Sequence, residues 1–128
     1  MIVIDTSALL AVVLREPGAA DLEAALASGQ RLLISAGTVA EALIVAGRRG
    51  FGAEVQRLIE GLGCEVVPVT AASARRVASA YGRWGKGVHP AGLNFGDCFA
   101  YELATTEGCP LLFVGGDFTR TDVAPAED

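Results

Sequence analysis

Four acidic residues stand at positions where a carboxylate can do chemistry. Asp5 closes the apolar run Met1 to Ile4, and Glu41 is the one polar residue in ValAlaGluAlaLeuIleVal. Asp97 lies near the third position of a helix opened by Asn94, and Asp117 follows Gly115 and Gly116 after the last apolar run. Each has a plainer reading. Free amides and the helix dipole favour an acid near a helix start, which alone would justify Asp97. Gly-Gly-Asp is an everyday turn, Asp5 can initiate one, and Glu41 can be solvated. Against that, a glutamate in a helix that reads as buried all round needs a partner, and Asp5 stands between a buried strand and a buried helix.

In an open α/β sheet, ligands bind beyond the carboxyl ends of the strands, so acids that follow strands can converge there. Two carboxylates about 4 Å apart repel by roughly 1 kcal/mol in water-like surroundings and by about 4 kcal/mol at an effective dielectric near 20. A convergent cluster therefore requires counter-charge. Lys86 is the single lysine, and the arginines fall mostly on the solvated faces of amphipathic helices. A hard divalent cation with oxygen ligands, Mg²⁺ or Mn²⁺, is the economical solution. Such ions clamp phosphates and activate water for in-line displacement, which makes phosphodiester hydrolysis the leading chemistry.

Other chemistries fit poorly. Gly85, Lys86 and Gly87 break the pattern of a phosphate loop, and no GxSxG elbow is present. His89 lies in a glycine-rich stretch without a serine or cysteine partner at a strand end. It is expected to be a solvated loop residue, or to join Arg83 and Lys86 in contacting phosphates. An odd set of cysteines, Cys64, Cys98 and Cys109, without CxxC spacing, reads as small buried hydrophobes.

The elements that must position the acids follow from apolar runs and punctuation. A strand over Met1 to Ile4 leads into a helix capped by Thr6 or Ser7 and running from Ala8 to about Arg15, stopped near Pro17. A helix over Ala19 to Ala27 and a strand over Arg31 to Ile34 come next. Ser35 can cap a helix from about Gly37 to Arg48. Ala53 to Leu62 reads as a helix closed by Gly63, Cys64 to Val69 as a strand, and Ala71 to Arg83 as a helix. Gly85 to Asn94 is the long loop, Phe95 to Glu107 a helix ended by Gly108, and Leu111 to Val114 a last strand. Residues 124–128 read as a frayed tail. Short apolar strands alternating with helices predict a parallel sheet covered on both faces.

The chain's 128 residues fit one domain over 1–128, and 52% hydrophobic against 20% charged residues exclude disorder. A formal net charge of −5 argues against indiscriminate coating of nucleic acid or anionic membrane. No apolar run approaches the roughly 18 residues of a membrane span, and the start lacks the basic residues of a secretory signal. The expected location is cytoplasmic.

The opening IleValIleAspThrSerAlaLeuLeuAlaVal, the glutamate of ThrValAlaGluAla, the segment LeuAsnPheGlyAspCysPheAlaTyrGluLeuAla and the closing LeuLeuPheValGlyGlyAspPheThrArgThrAsp together resemble PIN-domain proteins of the VapC toxin type. The resemblance implies a three-layer α/β/α sandwich with a central, mainly parallel four- to five-stranded sheet. It implies a Mg²⁺- or Mn²⁺-dependent endoribonuclease, the toxin of a type II toxin–antitoxin pair. Carried over by position, the family's metal-binding and catalytic acids fall on Asp5, Glu41 and Asp97. The fourth is Asp117 or Asp122, because Gly116 stands where the commoner pattern has another Asp or Asn. Thr6 resembles the hydroxyl that supports the first aspartate or a bound water.

The implied reaction is attack of a metal-activated water on an RNA phosphodiester, leaving a 5′-phosphate and a 3′-hydroxyl. Implied partners are a VapB-type antitoxin, whose C-terminal segment, often with an arginine, enters the acidic pocket, and a second copy of the chain in a homodimer. The apolar helices Ala8 to Leu14 and Ala19 to Ala27 offer a groove for the antitoxin. Two alternatives remain beside this reading. An aspartate-nucleophile phosphohydrolase or receiver would need a second acid where Ser7 stands and a late lysine. A catalytically silent binding module on the same fold would fit the departure at Gly116.

Overall fold

The computed structural model describes residues 1–126. The chain runs β1 (Ile2–Ile4), α1 (Thr6–Val13), α2 (Ala19–Leu26), β2 (Leu32–Ser35), α3 (Ala36–Arg48), α4 (Gly52–Leu62), β3 (Glu65–Val67), α5 (Ala71–Trp84), α6 (Phe95–Glu107) and β4 (Leu111–Leu112), and then a 3-10 turn over Asp117–Arg120. The strands form one parallel sheet in the order β3-β2-β1-β4. Ile2 pairs with Leu32, Val3 with Leu33 and Leu111, and Ile4 with Leu112.

Because side chains alternate across a strand, this register sorts the apolar residues into two cores. Val3, Leu33 and Leu111 point to one face and pack with Val77, Trp84, Leu93, Tyr101 and Phe118. Ile2, Ile4, Leu32, Ile34 and Leu112 point to the other and pack with Leu9, Ala42, Ala46, Val55 and Ile59. The expected three layers are present, with four parallel strands among the described residues. Burial of side chains such as Ile4 or Leu33 contributes about 2 kcal/mol each. It holds the carboxyl ends of β1, β2 and β4 in register, with Asp5 at the end of β1 and α3, which carries Glu41, following β2 directly.

Several local expectations are corrected. The cap of α1 is Asp5 itself, accepting from the Ser7 amide, and not Thr6 or Ser7. Helix α3 is not buried all round: Ala40 is exposed and Ile44 is 60% exposed, so only a stripe through Thr38, Ala42 and Ala46 faces the core. β3 is a short edge strand with Glu65 and Val66 in solvent, which blunts the sheet edge. β4 stops at Leu112, since the chain must turn through Gly115 at φ 99° to reach Asp117.

The tail is not frayed up to Ala126. Leu111 donates to the carbonyl of Ala124 and Ala126 donates to that of Leu111, at 2.9 Å each. Glu127 and Asp128, the end of that expected tail, lie outside the described residues. The 85–94 loop is likewise pinned. Lys86 donates to the carbonyl of Leu93 and Leu93 to that of Trp84, while Ala91 and Leu93 are buried. His89 is therefore half-buried and not a solvated residue: its ring meets Trp84 edge-on at 4.7 Å, and Nδ1 accepts from the Ala91 amide. Cys98 is buried, whereas Cys64 and Cys109 are only half-buried, and all three are free thiols.

Candidate active site

Asp5 ends β1, where its amide donates to the carbonyl of Leu112 and so ties it to β4. The side chain is buried at 3% exposure. Oδ2 accepts from the Ser7 amide at 3.0 Å and from the Ser7 hydroxyl at 2.6 Å. Oδ1 is buried and has no hydrogen-bond partner. Burial raises the carboxyl pKa to about 6; the Ser7 bonds oppose this and the charge of Glu41 adds to it.

Ser7 also accepts from the Val114 amide at 3.0 Å, so one hydroxyl links the Asp5 carboxylate to the segment leading into Asp117. The sequence suggested Ser7 as a helix cap and as the place where a phosphohydrolase would carry a second acid, not as a support for Asp5. The available signal was its place two residues after a strand-end aspartate, the spacing of a side-chain turn.

Glu41 projects from α3 and accepts from the Thr6 hydroxyl at 2.6 Å. The resemblance assigned Thr6 to the first aspartate or a bound water. Its hydrogen bond goes to Glu41 instead, and Ser7 supports Asp5. The Glu41 carboxylate lies against Gly96, where any Cβ would overlap it.

Asp97 opens α6 in a reciprocal cap. Asn94 Oδ1 accepts from the Asp97 amide at 2.8 Å, and Asp97 Oδ2 accepts from the Asn94 amide at 3.0 Å. Capping uses only Oδ2, which leaves Oδ1 for another ligand. Burial first, then the charges of Asp5, Asp117 and Glu41, raise this carboxyl to about 7 against the bond from Asn94. Asp97 thus feels the charge of each of the other three acids.

Asp117 begins the 3-10 turn and is exposed. Asp122, the other candidate for a fourth acid, is engaged elsewhere: it accepts from the Tyr101 hydroxyl at 2.5 Å and pairs with Arg83 at 3.6 Å. Asp117 and not Asp122 acts on Asp97.

The charges that raise Asp5 and Asp97 are all carboxylates. Among the described residues, no three Asp, Glu, His or Cys side chains converge tightly enough to cage an ion unaided. The donor set still fits a hard cation. It is all oxygen, it includes the orphaned Oδ1 of Asp5, and Mg²⁺ commonly takes one or two carboxylates while keeping several waters.

The PIN domain family model matches residues 2–124. "Ribonuclease VapC30" of Mycobacterium tuberculosis is 44% identical over 125 residues, covering 95% of each chain. Among solved structures, Mycobacterium tuberculosis VapC20, described as a sarcin-ricin loop cleaving toxin, superposes with a TM-score of 0.79 over 100% of both chains at 16% identity. VapBC2 from Rickettsia felis, bound to a DNA fragment from its promoter, gives 0.70 at 19% identity over 98% of this chain and 96% of that one. At those identities the structural likeness speaks for the fold.

Proposed function

The chain belongs to the PIN domain family and is a ribonuclease of the VapC toxin type, and on that premise we propose that Asp5, Glu41, Asp97 and Asp117 form its metal-dependent hydrolytic centre. The observation that carries this reading is the unpartnered buried Oδ1 of Asp5, in a neighbourhood whose other charges are carboxylates. A buried acceptor without a donor costs on the order of 1–3 kcal/mol, and a cation removes that penalty together with the mutual repulsion.

Asp5 and Asp97 would hold Mg²⁺ or Mn²⁺, with Glu41 and Asp117 completing the shell or orienting water. When bound, the ion supplies counter-charge to a phosphate and lowers the pKa of water. The chain's own groups do the rest. Ser7 fixes the Asp5 carboxylate, Thr6 fixes Glu41, and the cap of Asn94 fixes Asp97. Glu41 is placed to accept a proton from an attacking water, and no neighbouring cation holds it as an ion pair among the described residues.

The antitoxin reading has a physical counterpart in a cleft of about 170 Å³ lined by Val12, Leu26, Leu58 and Leu62, with Glu23 and Ala27 at its side. An amphipathic helix with apolar anchors fits it, and an arginine reaching the carboxylates would substitute for metal charge. A homodimer belongs to the same proposal. No described helix is long and apolar enough to cross a membrane. The deciding experiment is sequencing of RNA ends after incubation with the purified chain in Mn²⁺ and after EDTA. New ends at defined sites with Mn²⁺ alone support the reading, and cleavage that persists in Asp5→Asn overturns it.

A further inference from the structure

Phe95 is the most exposed of the large apolar side chains described, at 69%, yet it is the first residue of α6 and lies between Asn94 and Gly96, both part of the acidic site. Asn94 caps Asp97, and Gly96 touches the Glu41 carboxylate. The ring is not loose. It meets Phe99 edge-on at 5.0 Å, and Phe99 is itself clamped against Gly37, where any Cβ would overlap its ring. An exposed aromatic face thus stands at the start of α6, between the residue that caps Asp97 and the glycine that touches Glu41, with its ring packed edge-on against Phe99.

The strand that must enter this site is a polyanion, and the acids repel its phosphates. A bound ion would answer that repulsion only at the scissile phosphate, so the flanking nucleotides gain from contacts that do not rely on charge. Every nucleobase has a π-face, and stacking of a base on an aromatic side chain is tolerant of sequence. We propose that Phe95 is a substrate-contact residue on which a base flanking the scissile phosphodiester stacks, an inference that rests on the ribonuclease reading. Two exposed cations belong to the segments that follow and precede these residues: Arg120 lies three residues beyond Asp117 and donates to the carbonyl of Pro90 in the 85–94 loop, and Lys86 is exposed in that loop. They suit the phosphates of the same strand.

The test uses the full chain with a single-stranded RNA oligonucleotide that it cleaves, carrying 2-aminopurine next to the cleaved bond. Wild type should quench the fluorophore on binding. Phe95→Leu, which keeps apolar area but not a π-face, and Phe95→Ala should both lose the quench and raise KM about tenfold or more with kcat nearly unchanged. Phe95→Trp should restore both. Circular dichroism of each variant excludes misfolding, and light scattering reports the oligomer. If Phe95→Leu cleaves and quenches as wild type does, or if Phe95→Ala changes only the oligomeric mass, the ring serves a protein contact and the proposal falls while the ribonuclease reading stands. If wild type neither cleaves nor quenches any RNA offered, both fall together.

Discussion

The backbone of Gly96 lies directly against the carboxylate of Glu41, 55 residues earlier in the chain, with no room between them for a Cβ. Glycine at 96 is therefore a steric requirement of the acid and not of the helix, since its φ is not in the left-handed region. Gly96→Ala should leave α6 folded but push the carboxylate off the Thr6 hydroxyl. RNA cleavage should fall about 100-fold or more, the scale of a 1 Å misplacement. Glu41→Asp, one methylene shorter, should recover part of that loss when combined with Gly96→Ala, although it lowers activity alone. Single-turnover rates for the two singles and the double settle the matter: simple additivity would contradict the steric account.

Ser7 holds Asp5 from one side and Val114 from the other. Removing its hydroxyl frees the carboxylate to rotate and takes away a bond that lowers its pKa. Ser7→Ala should weaken Mn²⁺ binding and cleavage by about 10- to 100-fold, the usual effect of losing an outer-shell partner. The acid limb of the pH–rate profile should move to higher pH. Ser7→Thr keeps the hydroxyl and should retain most activity with an unmoved limb. Isothermal titration and the profile are the checks, and an unchanged limb in Ser7→Ala would exclude the role.

What could be read from the chain alone was local. Ile2–Ile4, the caps at Ser35 and Asn94 and the terminator Gly108 are written in neighbouring residues, because strand periodicity and capping act over a few positions. Asp5 misled as a cap because its side chain bonds two residues forward, a geometry that Thr6 and Ser7 mimic in sequence. Nothing local tells that Ile44 faces solvent in so apolar a helix, or that residues 124–126 return beside Leu111. The chain from the Trp84 indole to the Tyr101 hydroxyl and on to Asp122 joins α5, α6 and the segment after the 3-10 turn, and it engages Asp122 there. Only tertiary placement separates it from Asp117.

The cleft between α1, α2 and α4 is lined by Leu26, Leu58 and Leu62. If an antitoxin helix seats its apolar face there, a charge in the floor should eject it without touching the acids. Leu58→Glu should weaken binding by about 2 kcal/mol or more, some 30-fold, because the carboxylate would be desolvated beside Glu23. RNA cleavage by the free chain should stay within about twofold. Co-expression with the neighbouring open reading frame, followed by a pull-down, reads the first effect. Undiminished capture would place the partner elsewhere.

Asp5 at about 6 and Asp97 at about 7 hold protons far more tightly than the ordinary value of 3.8 that applies when the chain is unfolded. Between pH 4 and pH 7 the metal-free folded state thus binds more protons than the unfolded one, so these two groups make stability fall as pH rises through that window. Thermal melts in EDTA should show the midpoint dropping from pH 5 to pH 7.5. Asp97→Asn keeps the cap oxygen for the Asn94 amide but cannot ionise. It should flatten that drop and raise the metal-free midpoint at pH 7.5 by a few degrees, about 1 kcal/mol after allowing for solvent screening. Mn²⁺ must displace the same protons, so it should stabilise wild type at pH 7.5 far more than at pH 5, and Asp97→Asn little at either. A wild-type midpoint that rises steadily toward pH 7.5 without metal, together with a less stable Asp97→Asn, would mean that the acids are already compensated by the chain itself.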